Sequence, residues 1–147
     1  MVLASLSTLR TGETVRVEDV ARMTVRVLIV DDQEPFRLAA RMVVETTEGF
    51  EVVGESETGE DSIEKASSLE PDLVLMDVNL PGMNGLEATR KILEGSSART
   101  VILLLSTYDE DEYAPRAAEC GAAAYIPKSA FGPDRLESAW AAAVDAS

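Results

Sequence analysis

The sequence predicts an α/β fold on a five-stranded parallel sheet, and three observations lead there. From Val25 onward short apolar runs alternate with segments of helical period. Three of those runs are apolar apart from Arg26 in the first, as expected of strands covered on both faces. The 147 residues, 46% hydrophobic and 27% charged, suit one domain with an ordinary core.

The elements follow in order. Val25–Val30 (VRVLIV) reads as a buried strand ending in Asp31 and Asp32. Phe36, Ala39, Ala40 and Val43 fall at helical spacing, with Pro35 placed for a first turn. Phe50–Glu55 (FEVVGE) alternates as a half-exposed strand. Ile63, Ala66 and Leu69 mark a second helix, opened by Thr58-Gly59-Glu60-Asp61. Leu73–Met76 (LVLM) is an apolar run ending in Asp77, and Leu86, Thr89 and Leu93 line a third helix. Val101–Leu105 (VILLL) is a buried strand followed by Ser106 and Thr107. Asp109–Cys120 reads as a helix whose first turn carries Asp109, Glu110 and Asp111, favourable at the positive helix end. Ala123–Ile126 is a short last strand, and Leu136, Ala139, Trp140, Ala143 and Val144 form a closing amphipathic helix.

The same runs order the strands. The predominantly apolar first, third and fourth belong in the middle, and the alternating second and short fifth at the edges. Order 2-1-3-4-5 satisfies this and is the flavodoxin-like arrangement, whose switch point lies between strands one and three. Ligands bind there, beyond the carboxyl ends of the strands, where the chain places Asp31, Asp32 and Asp77.

Composition removes much other chemistry. There is no histidine, so His triads, His metal sites and a phosphohistidine on this chain are excluded. One cysteine, Cys120, makes neither an internal disulfide nor a zinc cluster and fits a reducing compartment such as the cytoplasm. No apolar stretch reaches the roughly 18 residues of a membrane helix. The net charge is −14, and because residues 1–22 balance three arginines against three acids, all of it falls on residues 23–147. So acidic a surface repels phosphate backbones, which argues against direct nucleic-acid binding. Residues 1–24 carry no signal-peptide pattern and no sustained period; a disordered extension is expected there, with Met23 standing as an internal candidate start.

Three carboxylates at one sheet edge need a proton, a cation or both, because two like charges about 4 Å apart repel by roughly 4 kcal/mol at an effective dielectric near 20. With oxygen ligands alone the fitting ion is hard: magnesium or manganese, less often calcium. Taken singly, Asp31-Asp32 also reads as a helix cap and Asp77 as a turn residue before Pro81-Gly82; three matched strand ends together favour a site. Ser106 closes the fourth strand and Lys128 follows the fifth. That lysine can set an ammonium against a carboxylate or phosphate, or be an ordinary loop lysine. The hydroxyl can bind a phosphoryl oxygen or its own backbone.

Asp31-Asp32 after the first strand, Asp77 in MDVNLPGMNG, Ser106 after VILLL and Lys128 in YIPKS resemble the receiver domain of bacterial two-component response regulators, most of all the NarL/LuxR type, with EVVGES before a Gly-Glu turn as a further likeness. The likeness covers residues 25 to about 145 and makes 25–147 the receiver domain, with the CheY-like form of the flavodoxin-like fold. It implies that Asp77 accepts a phosphoryl group from a sensor histidine kinase or phosphotransfer protein. It further implies that Asp32, Asp77 and the Asn79 carbonyl bind Mg²⁺, with Asp31 acting mainly through water. Lys128 and Ser106 would hold phosphoryl oxygens, Tyr125 would be the switch aromatic, and Asn79 and Tyr108 lie where the family tunes hydrolysis. No independent enzymatic turnover is expected beyond self-dephosphorylation, and a homodimer through helix four, strand five and helix five is an expected mode of association.

Three departures from the family pattern stand out. Pro127 precedes Lys128 where the family commonly has proline after the lysine. Pro115 predicts a fourth helix that is short or starts late. No basic helix-turn-helix follows the receiver within the 147 residues, so a stand-alone receiver is the leading expectation and a receiver fragment of a NarL-type DNA-binding regulator the next. A haloacid-dehalogenase-like phosphatase is disfavoured because Asn79 occupies the position of its second aspartate. A phosphate-independent interaction domain is disfavoured by the complete acidic cluster with Lys128.

Overall fold

A computed structural model describes residues 24–96, 100–107 and 110–145. Strands β1 (Val25–Val30), β2 (Phe50–Ser56), β3 (Leu73–Asp77), β4 (Val101–Ser106) and β5 (Ala124–Pro127) alternate with helices α1 (Glu34–Thr46), α2 (Gly59–Leu69), α3 (Gly85–Gly95), α4 (Glu110–Cys120) and α5 (Pro133–Asp145). The extension expected over residues 1–24 lies outside the described residues apart from Thr24, as do Tyr108, Asp109 and the last two residues.

All pairings are parallel and the order is β2-β1-β3-β4-β5, as the apolar runs predict. β3 is buried at every residue because it has a strand on each side and helices on both faces. Alternate residues divide between two cores. Leu28, Val30, Val74, Met76 and Leu104 pack with residues of α2, α3 and α4. Val27, Ile29, Leu75, Leu103 and Leu105 pack with Ala40 and Val44 of α1 and Leu136 of α5. The sheet is therefore wound with two helices on one face and three on the other.

Local signals account for the helix starts. Thr58 accepts from the Asp61 amide at 3.0 Å, and Asn84 Oδ1 from the Glu87 amide at 2.9 Å, so each caps its helix. Pro35 sits in the first turn of α1, where a missing N–H leaves no bond unmade.

Two expectations are corrected. β2 does not alternate along its length: Val27 pairs with Val52 but Leu28 with Gly54, so Val53 is an inserted bulge residue. The residues after Glu51 are accordingly all half-buried up to Ser56 rather than split between two faces. α4 is neither short nor late, since it runs from Glu110 to Cys120 with Pro115 inside. Pro115 is exposed, so the carbonyl four residues back, which it cannot serve, can turn to water.

Leu136 is the fully buried anchor of α5. Leu136→Ala is expected to cost about 2–5 kcal/mol, the range for truncating a core leucine, and a denaturant melt at constant slope checks it.

Candidate functional site

The site is built where β1 and β3 end side by side. Val30 pairs with Met76, so the residues that follow them, Asp31 and Asp77, stand at the same level at the carboxyl edge of the sheet. Asp31 still belongs to the ladder, its amide donating to the Ser56 carbonyl at 3.0 Å. Arg37, one turn into α1, donates from Nη1 to the Asp31 carbonyl at 2.7 Å and pairs through Nε with Glu55 at 3.2 Å. The backbone that carries the first aspartate is thus tied to both β2 and α1.

Asp31 and Asp77 are buried, while Asp32 is exposed at the mouth. One carboxylate oxygen from each of the three lies within 4.8 Å of the others. Asp31 Oδ1 accepts from the Gln33 amide at 2.8 Å, and Asp77 Oδ1 accepts from the Asn79 amide at 3.2 Å. Lys128 Nζ lies 2.7 Å from Asp31 Oδ2 and 3.6 Å from Asp77 Oδ1. The closer contact is an ion pair rather than an aligned hydrogen bond, so Asp31 Oδ2 is buried with acceptor capacity unused. Burial, reinforced by the negative charge of Asp31, pushes the Asp77 carboxyl up from 3.8 to about 6; Lys128 and the Asn79 amide pull the other way, and Asp32 adds slightly to the rise.

Lys128 reaches this point from far away. β5 is two strands from β3 and three from β1, about 10 Å and 14 Å at the usual strand spacing. A 3₁₀ turn over Lys128–Ala130, closed by the Phe131 amide on the Lys128 carbonyl at 3.2 Å, sends the side chain back across the end of β4. Ser106, fully buried, ends β4 with its hydroxyl 3.4 Å from Asn79 Nδ2.

The structure therefore brings together Asp31, Asp32, Asp77, Asn79, Ser106 and Lys128. Tyr125 is placed otherwise: it is 3% exposed, pairs with Leu104 and packs in the core on the α3–α4 face. The donor set is all oxygen, Asp31 Oδ2 has unused capacity and Asp32 is open to solvent, which together fit a hard divalent cation such as Mg²⁺.

Residue spacing did not reveal Gly85. Its amide donates to the Val78 carbonyl at 2.8 Å, and a Cβ there would lie 2.1 Å from the Asp77 carbonyl oxygen. The preceding turn needs Gly82, whose φ is +73° after Pro81, the pattern of a type II turn. The only sequence hint was the density of turn residues in LPGMNG. Arg37 gave no hint beyond its place four residues after Gln33 on α1.

Lys128→Met should lower the stability of the metal-free protein by about 3 kcal/mol, because it leaves two buried carboxylates without their cation. Mg²⁺ should restore part of that loss. Thermal melts of wild type and variant, with and without Mg²⁺, check both expectations.

A family model for the response regulator receiver domain matches residues 27–141. Response regulator GacA of Pseudomonas viridiflava is 42% identical over 106 residues, 72% of this chain and 49% of that protein. Response regulator UvrY of Escherichia coli is 40% identical over 115 residues, 78% of this chain and 52% of that protein. Among solved structures, a LuxR-family two-component response regulator from Aurantimonas sp. SI85-9A1 superimposes with a TM-score of 0.76 at 31% identity, covering 83% of this chain and 86% of that one. The signal receiver domain of the putative response regulator NarL from Mycobacterium tuberculosis gives 0.74 at 28% identity, covering 82% and 96%. The chain spans about half the length of the curated relatives it matches.

Proposed function

The chain belongs to the response regulator receiver domain family, and from that premise we propose that Asp77 is its phosphoacceptor and that phosphorylation switches a protein-interaction surface. The observation that carries this reading is the Asp77 carboxylate, buried at the end of the central strand between two further aspartates and the Lys128 ammonium. A nucleophilic oxygen of Asp77 attacks the phosphorus of a partner's phosphohistidine; the P–O bond forms as the P–N bond breaks, and the imidazole leaves with a proton. The attacking carboxylate must be ionised, and Lys128 favours that form. Mg²⁺, held by Asp32, Asp77 and the Asn79 carbonyl, with Asp31 through water, would supply the charge that offsets the phosphoryl oxygens. Lys128 and Ser106 then take the remaining oxygens, and Ser106 moving toward the phosphoryl group would couple it to Tyr125, on the neighbouring strand. No independent turnover is expected beyond self-dephosphorylation.

The phosphoryl source is a sensor histidine kinase or phosphotransfer protein, and the readout surface is α4, β5 and α5, through which a homodimer would form. Among the described residues no helix is long and apolar enough to cross a membrane, and a cytoplasmic setting is proposed. The net charge of −14 argues against nucleic-acid contact by this segment itself. A second reading is a receiver segment of a NarL/LuxR-type transcription regulator, favoured by the half-length match to the curated relatives.

Intact mass after incubation with acetyl phosphate and Mg²⁺ tests the proposal. One phosphoryl adduct is expected on wild type, none without metal and none on Asp77→Asn. An adduct that survives the substitution, or none on wild type, would sink it.

A further inference from the structure

Lys128 is the cation of the site, yet its own backbone is two to three strands away from the carboxylates it serves. A lysine side chain that crosses such a gap holds one position only if something besides a single ion pair restrains it, since its four-carbon stem has large rotamer freedom. The restraint visible in the structure is aromatic. Phe36, in the first turn of α1, places its ring under the ammonium, with Nζ 4.4 Å from the ring centroid. That separation is well inside the roughly 6 Å within which a ring face attracts a cation. Phe36 is itself braced by Phe131, the residue that closes the turn after Lys128, with ring centroids 6.4 Å apart and planes tilted by 46°. Lys128 is thereby held by three groups: the Asp31 carboxylate, the Asp77 carboxylate and the Phe36 face.

We infer that Phe36 is a positioning residue for phosphoryl acceptance: its ring face and the Phe131 brace hold the Lys128 ammonium between Asp31 and Asp77, ready for the incoming phosphoryl oxygens. This rests on the function proposed above and adds to it a residue outside the polar constellation. The unequal distances, 2.7 Å to Asp31 and 3.6 Å to Asp77, show what the ring has to do. Asp31 draws the ammonium toward β1, and a neutral, polarisable face stabilises the charge without competing for it as another carboxylate would. Phe36 touches Lys128 and is not given a direct contact with phosphate.

The test uses the whole chain with acetyl phosphate and Mg²⁺, reading the rate of adduct formation by mass. Phe36→Leu keeps the apolar volume and removes the ring; its rate is expected to fall roughly three- to tenfold, the fold-change of a partly desolvated cation–ring contact. Replacing Phe36 by phenylalanines carrying one, two and three fluorines leaves shape nearly unchanged and drains the ring face of negative potential. The rate should fall stepwise along that series, which a merely space-filling ring would not produce. If Phe36→Leu fails to fold, the fluorinated series decides alone. A wild-type adduct with a flat fluorinated series overturns the inference and leaves the proposed function standing. Absence of an adduct on wild type overturns both.

Discussion

Asp77→Asn is expected to make the metal-free protein more stable at neutral pH, even as it removes the proposed acceptor. The Asp77 carboxyl is raised from 3.8 to about 6 by burial and by Asp31. A carboxyl that holds its proton more tightly when folded makes the unfolded chain the better host for the charged form. Its ionisation therefore costs native stability above a pH of about 6, the cost shrinks as pH falls through that value, and it is gone near 3.8. The gap corresponds to about 3 kcal/mol at pH 7, taking about 1.4 kcal/mol per unit. An asparagine escapes that cost, so denaturant melts at pH 7.5 should favour the variant by about 2–3 kcal/mol, and melts near pH 4.5 should show most of the difference gone. Mg²⁺ should reverse the ranking at pH 7.5 by stabilising wild type more than the variant, since it binds the ionised cluster. A variant no more stable than wild type in the absence of metal would mean that the cluster is already neutralised by other means.

Gly85→Ala should be the most damaging glycine-to-alanine change among the described residues. The new Cβ would sit 2.1 Å from the Asp77 carbonyl oxygen and 2.9 Å from both the Asp77 carbonyl carbon and Val78 Cα. All three are backbone atoms, so no side chain can swing aside. Either α3 withdraws from the end of β3, breaking the Gly85 amide bond to the Val78 carbonyl, or the strand end shifts and takes Asp77 with it. Overpacking a tight site costs typically 1–3 kcal/mol, and a backbone-on-backbone conflict belongs at or beyond the upper end, about 3 kcal/mol or more. Mg²⁺-dependent stabilisation should weaken with it, because the carboxylate no longer meets Asp31 and Asp32 at the same level. Denaturant melts with and without Mg²⁺ check this. The contrasting control is Gly95→Ala at the end of α3, where an added Cβ meets nothing within 4 Å.

The sheet was legible from burial alone. VRVLIV, LVLM and VILLL are apolar at every position but Arg26 because each has helices above and below, and that property sorts central strands from edges without any contact information. Asp31, Asp32 and Asp77 were legible for a related reason, since an acid directly after such a run stands at the sheet's carboxyl edge by necessity. What spacing did not show depends on approach in three dimensions. Val53 reads like any other strand valine until its partner strand shows that it has none. Gly85 is one glycine in a turn-rich stretch until the Asp77 carbonyl is placed against it. Phe36 carries the helical period of a core residue, and the period is honest, but the same ring also lies under an ammonium that arrives from the far side of the sheet. Pro115 sits inside α4 without shortening it because its face meets solvent, a property that the residue type alone does not carry.

Asp77 ends the central strand of the sheet, buried at every residue, with α1 and α5 on one side and α2, α3 and α4 on the other. Its main chain pairs with Leu105 of β4, and the next amide, that of Val78, donates to the Leu105 carbonyl at 3.0 Å. The proposed acceptor is consequently a fulcrum: a charge added there would meet a strand packed on both faces, so the response would appear as displacement of what surrounds it. A fulcrum at the midline has leverage on both faces at once. A docking partner on one face and an output on the other could then communicate through the single covalent event proposed at Asp77.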